Sequence, residues 1–173
     1  MIKGRKGGAN TTTGLVFEEE IDLLTLCGKV KDYTIKHNEI YYKDNLIGFT
    51  FKKNKLYKYL ETNNVNWPKL VSAKLLPDDS LYLPNLKKFI VFEIKYQNVS
   101  GSTDEKLQTC HFKIRQYKKL IKALDPEIKV EFIYVLNDWF KDKRYKDVLS
   151  YINSVPGCTY YIGKVPLKAI GLH

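Results

Sequence analysis

Cysteine and histidine are scarce in this chain, which has three of each among its 173 residues. Cys27, Cys110 and Cys158 lie far apart and include no C-x-x-C pair, so their spacing predicts neither a disulfide framework nor a zinc site. We therefore interpret them as small apolar residues of a reduced, cytoplasmic protein. Any bound metal is then expected to be a hard cation held by carboxylates.

The chain also has no long apolar run and fewer acidic than basic residues. No run approaches the roughly 18 apolar residues that suggest a membrane-spanning helix, and the basic N-terminus does not resemble a secretory signal. Lysine and arginine number 29 against 19 acidic residues, a net charge of +10. Hydrophobic residues make up 44% of the chain, which excludes a disordered protein. These features predict one folded domain whose partner is a polyanion, usually nucleic acid.

Residues 1–10 are the one low-complexity stretch. Lys3, Arg5 and Lys6 are interleaved with glycines. We expect a flexible basic arm that contacts phosphates, attached to a single domain spanning residues 1–173.

The apolar periodicity predicts alternating strands and helices. Strands are expected at 33–35, 40–42, 46–51, 80–83, 88–96, 130–136 and 158–162, and helices at 15–26, 56–62, 104–124 and 143–152. The strand at 88–96 is apolar on both faces, as in a buried central strand. This order predicts an α/β fold with a central mixed β-sheet flanked by helices.

Charged residues interrupt this central strand. Glu93 and Lys95 are two residues apart, so both side chains lie on one face of the sheet. If strands 80–83 and 88–96 form an antiparallel hairpin, Asp78 lies beside Glu93 at its open end. Two carboxylates suit Mg²⁺, which takes its other ligands from water and phosphate, and the lysine can stabilise the transition state. Asp79 is the competing ligand, and strand parity favours Asp78.

The sequence Pro77-Asp78, a gap, then Glu93-Ile94-Lys95 resembles the PD-(D/E)XK nuclease superfamily, which includes many type II restriction endonucleases. The resemblance implies a restriction-endonuclease-like core and one or two Mg²⁺ ions held by Asp78 and Glu93. It also implies a further carboxylate from the first helix, and Glu18 in the segment Gly14-Leu15-Val16-Phe17-Glu18 fits that position. Gln97, as in E-x-K-x-Q variants, is expected to position water or contact a phosphate.

The expected activity is therefore Mg²⁺-dependent hydrolysis of phosphodiester bonds by a type II restriction endonuclease. Lys106, Lys113 and Arg115 on the helix after the motif are expected to contact the backbone of double-stranded DNA. Cutting both strands predicts a homodimer, or a small catalytic subunit with a larger recognition subunit. The alternatives are a structure-specific nuclease similar to Holliday junction resolvases and a non-catalytic basic DNA-binding protein with the same fold.

Overall fold

A mixed sheet of seven strands organises the described part of the chain. The computed structural model describes residues 14, 16, 17, 19, 23–99 and 103–173. The strands are β1 (Tyr33–Lys36), β2 (Glu39–Tyr42), β3 (Asn45–Thr50), β4 (Asp79–Leu83), β5 (Lys88–Lys95), β6 (Lys129–Leu136) and β7 (Cys158–Ile162). They are adjacent in chain order. Strands β1 to β5 pair antiparallel, whereas β5, β6 and β7 pair parallel.

Helices make the connections that the parallel strands require. The α-helices are α1 (Leu23–Gly28), α2 (Asn54–Thr62), α3 (Thr103–Leu107), α4 (Cys110–Lys122) and α5 (Lys146–Ser154). Helices α3 and α4 join β5 to β6, and α5 joins β6 to β7, because neighbouring parallel strands need a long crossover. Within the described ranges, no helix has the length and apolar character needed to cross a membrane.

Buried side chains cover both faces of the sheet. Phe89 and Val91 of β5 pack with residues of α2, α4 and α5, and we call this side the α4 face. Ile90 and Phe92 pack on the opposite side, the α1 face, with residues of α1 and of the C-terminal segment. This two-sided burial explains the continuous apolar run and confirms the prediction of a central strand. The predicted mixed sheet flanked by helices is confirmed as well.

The helix predicted over 104–124 is wrong in one respect, because it is divided at Gln108 and Thr109 into α3 and α4. The backbone N–H groups of these two residues donate to carbonyls three positions earlier, and the Thr109 hydroxyl donates to the Lys106 carbonyl at 2.7 Å. Side-chain competition for backbone groups of this kind interrupts a regular helix. The first helix was expected over 15–26. Residues 14, 16, 17 and 19 are helical, and α1 ends at Gly28.

A tight turn and a close contact between strands shape the antiparallel half of the sheet. Lys43 and Asp44 form the turn between β2 and β3 with φ of 47° and 61°, the left-handed conformation of tight hairpin turns. In β3, a Cβ at Gly48 would meet the Tyr82 carbonyl oxygen at 2.8 Å. The strands β3 and β4 therefore approach closely here because residue 48 has no side chain.

Candidate active site at the open end of the β4–β5 hairpin

The hairpin of β4 and β5 brings Asp78 to Glu93. The register pairs Asp79 with Phe92, so Asp78, one residue before β4, lies beside the next residues of β5. The Ile94 N–H donates to Asp78 Oδ2 at 2.8 Å. Asp78 therefore lies next to the charged end of β5, as predicted.

Strand parity separates the two neighbouring aspartates. Asp79 pairs with Phe92 and shares its parity with Leu81, and both of these apolar residues pack on the α1 face. Asp79 is 3% exposed, and its Oδ1 accepts the Ser80 N–H at 2.8 Å. Asp78 has the opposite parity and therefore lies on the α4 face together with Glu93. Asp78 is thus the aspartate that joins the site, as the sequence favoured.

One ammonium group bridges the two carboxylates. Lys95 Nζ lies 2.7 Å from Glu93 Oε1 and 3.8 Å from Asp78 Oδ2. These two distances together limit the separation of the two carboxylate oxygens to at most about 6.5 Å, the sum of 2.7 and 3.8 Å. Lys95 Nζ also donates to the Ile94 carbonyl at 3.1 Å. The two acids therefore already share one positively charged group.

A second lysine reaches the site from α4. Lys113 Nζ donates to Glu93 Oε1 at 2.8 Å, so that a single carboxylate oxygen receives two ammonium groups. Asp78, Glu93, Lys95 and Lys113 form what we call the charge quartet. Their side chains are 31%, 13%, 16% and 18% exposed. Two negative and two positive charges thus balance in a largely buried place.

Lys113 was expected on the DNA backbone, and its contact with Glu93 was missed. Its position in α4 carried a usable signal. It lies three residues after Cys110 and four before Tyr117, both of which are buried, so it borders the apolar stripe. A lysine bordering a core stripe can reach a carboxylate on the strand beneath the helix.

The surroundings shift the pKa values of the two acids in opposite directions. Burial raises the pKa of the Asp78 carboxyl above its usual value, while Lys95 opposes this effect and the charge of Glu93 adds to it. Burial also acts on Glu93 and is the largest single influence there, but Lys95 and Lys113 together lower the pKa of Glu93 below its usual value. Glu93 is therefore firmly ionised at neutral pH, and Asp78 is the acid less well compensated by the ammonium groups.

Two tyrosines hold the segment that leads into Asp78. The hydroxyls of Tyr57 in α2 and Tyr117 in α4 donate to the Leu75 carbonyl at 3.1 and 3.2 Å. Burial raises the pKa of Tyr117, and the charges of Glu93 and Asp78 raise it further, so its hydroxyl stays protonated as a donor. The Lys53 N–H donates to the Pro77 carbonyl at 2.9 Å. The approach to Asp78 is thus fixed by hydrogen bonds from α2 and α4.

Gln97 lies just beyond β5 and is held through its backbone. Its N–H donates to Asn137 Oδ1 at 3.1 Å, and Asn137 Nδ2 donates to the Gln97 carbonyl at 2.8 Å. The side chain is buried, and within residues 23–99 and 103–173 its amide has no hydrogen-bond partner. Its expected contact with water or phosphate stays a prediction. Asn137 was missed because its role depends on pairing between distant strand ends.

The remaining predicted residues divide into two groups. Lys106 and Arg115 are exposed, on α3 and α4. Lys3, Arg5, Lys6 and Glu18 lie outside the described residues, as does the whole basic arm at 1–10. Their expected roles therefore stay predictions from the sequence.

The donor set at the site suits a hard divalent cation. Asp78 and Glu93 present carboxylate oxygens on one face, and Mg²⁺ commonly takes one or two carboxylates and completes its shell with water and phosphate. The ammonium of Lys95 already lies beside both carboxylates, so the site accommodates a positive charge near them. Among the described residues, no group of three or more His, Cys, Asp or Glu side chains is placed to hold a metal.

Comparisons of the chain with protein-family models, with curated proteins and with solved structures found no match. The functional interpretation therefore depends on the residues and their geometry alone.

Proposed function

We propose that this chain is a Mg²⁺-dependent DNA endonuclease of the PD-(D/E)XK type. The observation that carries the proposal is the bridging of Asp78 and Glu93, on adjacent segments of one hairpin, by the ammonium of Lys95. A structural ion pair needs one acid and one base. Here two acids, Glu93 near the end of β5 and Asp78 just before β4, lie beside one lysine, and this combination supports phosphodiester hydrolysis with a divalent cation.

Each member of the set has a role in the reaction. Asp78 and Glu93 would hold the cation, and Glu18 would add a carboxylate from the first helix. When bound, the cation lowers the pKa of a water ligand and offsets charge on the phosphoryl oxygens. Lys95 orients the attacking water and donates to the oxygen on which negative charge develops. The water oxygen forms a bond to phosphorus as the bond to the 3′ oxygen breaks, which leaves a 5′-phosphate and a 3′-hydroxyl.

The finer proposal is a type II restriction endonuclease acting on double-stranded DNA. The mixed sheet with helices on both faces supports a restriction-endonuclease-like core. The net charge of +10 supports a nucleic-acid partner. Each described chain carries one charge quartet, so cleavage of both strands at a symmetric site calls for a homodimer, or for a partner subunit that supplies recognition.

Cleavage assays test the activity and separate its alternatives. Plasmid DNA and a four-way junction are incubated with the protein in Mg²⁺ or in EDTA. Discrete plasmid fragments that appear only with Mg²⁺ are the expected result, and sequencing of their ends gives the site. Cuts confined to the junction would instead identify a structure-specific nuclease, and binding without cutting would identify a DNA-binding protein.

The variant Lys95→Ala tests the site itself. It is expected to abolish cutting while DNA binding stays close to that of the wild type, because the lysine acts in the transition state. Lys119→Ala is the matched control, because Lys119 is exposed on α4 and has no part in the quartet. Normal cleavage by Lys95→Ala would show that the site is assigned wrongly.

A further inference from the structure

The charge quartet is neutral before any divalent cation binds. Glu93 Oε1 pairs with the ammonium groups of both Lys95 and Lys113, at 2.7 and 2.8 Å. Charge imbalance is more costly in this largely buried place than at the surface, because the effective dielectric constant is lower than that of water. Addition of a divalent cation to the quartet would leave two positive charges uncompensated.

The two lysines are not held equally. Lys95 contacts Asp78, Glu93 and the Ile94 carbonyl. For Lys113, Glu93 is the one hydrogen-bond and ion-pair partner within the described residues. The ammonium that leaves Glu93 at the smallest cost is therefore that of Lys113. The Lys113 side chain is carried by α4 and is 18% exposed, so its surroundings are partly open to solvent.

On the basis of the proposed function, we propose that Lys113 is a positioning residue that competes with the divalent cation for Glu93. In the cation-free protein it holds the carboxylate in place and compensates its charge. When the cation binds, the Lys113 ammonium is released to a phosphate of the nucleic acid. The phosphate restores the charge balance, so cation binding and DNA binding strengthen each other.

This coupling is reciprocal by thermodynamic necessity. DNA raises the affinity for the cation by the same factor as the cation raises the affinity for DNA. Without DNA, the native protein is expected to bind divalent cations weakly. Removal of the Lys113 charge relieves the competition and strengthens cation binding in the DNA-free protein.

Titration of the DNA-free protein with Mn²⁺, followed by the electron paramagnetic resonance signal of the free ion, tests the inference. Lys113→Gln is expected to bind Mn²⁺ at least about tenfold more tightly than the wild type, because a unit charge close to the ion is removed. Lys113→Arg keeps the charge and is expected to bind like the wild type. Lys119→Gln, the matched control on the exposed side of α4, is expected to stay within about twofold because exposed charges are screened.

Cleavage supplies the second measurement. The Mg²⁺ concentration for half-maximal cutting is expected to fall in Lys113→Gln, while the maximal rate at saturating Mg²⁺ does not rise. Equal Mn²⁺ affinities of Lys113→Gln and Lys119→Gln would overturn the inference. This result is compatible with a wild-type protein that cuts DNA, whereas undiminished Mn²⁺ binding by Asp78→Asn would instead contradict the assignment of Asp78 as a cation ligand. The proposed function has its own test, because it is wrong if the wild type shows no Mg²⁺-dependent cleavage.

Discussion

Replacement of each acid of the site by its amide is expected to change stability in opposite directions. In Glu93→Gln, two ammonium groups lose the carboxylate that they share at 2.7 and 2.8 Å. Breaking a fully buried ion pair costs about 3–5 kcal/mol. Here the ammonium groups are 16% and 18% exposed and regain some hydration, and the amide oxygen still accepts hydrogen bonds. We therefore expect the free energy of unfolding to fall by about 2 kcal/mol at neutral pH.

Asp78→Asn leaves the quartet with a net positive charge but is still expected to raise the free energy of unfolding, because burial and the charge of Glu93 penalise the Asp78 carboxylate more than Lys95 and Lys113 stabilise it. Burial raises the pKa of Asp78, which means that its ionised form is disfavoured in the folded protein. The amide removes that charge and still offers an oxygen to the Ile94 N–H. The two substitutions are chemically alike and lie in one site, so each is the control of the other.

The pH dependence of these differences follows from the two pKa shifts. The pKa of Glu93 is lowered in the folded state, so the stability that its charge contributes is present above its unfolded pKa of about 4.3 and is lost as the pH falls through the folded pKa. The loss caused by Glu93→Gln should therefore shrink in acid. The pKa of Asp78 is raised, so the gain caused by Asp78→Asn is present above its folded pKa and disappears below about 3.9.

Urea unfolding in EDTA, followed by the fluorescence of Trp67 and Trp139, measures both differences across a series of pH values. A loss of stability in both variants, or no change in Glu93→Gln, would refute the electrostatic description of the site.

Most of the sheet could be predicted from local pattern. Strand β7 lies at the predicted residues, and β5 and β6 differ from prediction by one residue at an end, because an apolar run between turn residues specifies a buried strand. The proximity of Asp78 to Glu93 could also be predicted from the sequence. It required only a count from the turn, since side chains alternate along a strand with a period of two. The same period distinguished Asp78 from Asp79.

The rest depended on contacts that a pattern does not encode. The apolar stripe through Leu107, Cys110 and Ile114 continues from α3 into α4. Helical spacing therefore could not reveal the break between the two helices. The break follows from a local competition by Thr109 for a backbone carbonyl. The contact of Lys113 with Glu93 joins residues 20 positions apart and requires the packing of α4 on β5.

Two further substitutions examine the close strand approach and the expected DNA surface. Gly48→Ala is expected to lower the free energy of unfolding by about 1–3 kcal/mol, because the new Cβ meets the backbone oxygen of Tyr82, which cannot move aside. Urea unfolding measures this difference, and unchanged stability would show that the strands are not this close. Lys106→Gln and Arg115→Gln are expected to weaken DNA binding without changing the Mg²⁺ requirement. Both side chains are exposed on the helices next to the site, so each should neutralise a phosphate rather than hold the charge quartet in place. Each lost phosphate contact should make the slope of log affinity against log salt less steep by about 0.9, measured by fluorescence anisotropy over a salt series. Wild-type slopes in both variants would mean that the DNA backbone runs along another face of the protein.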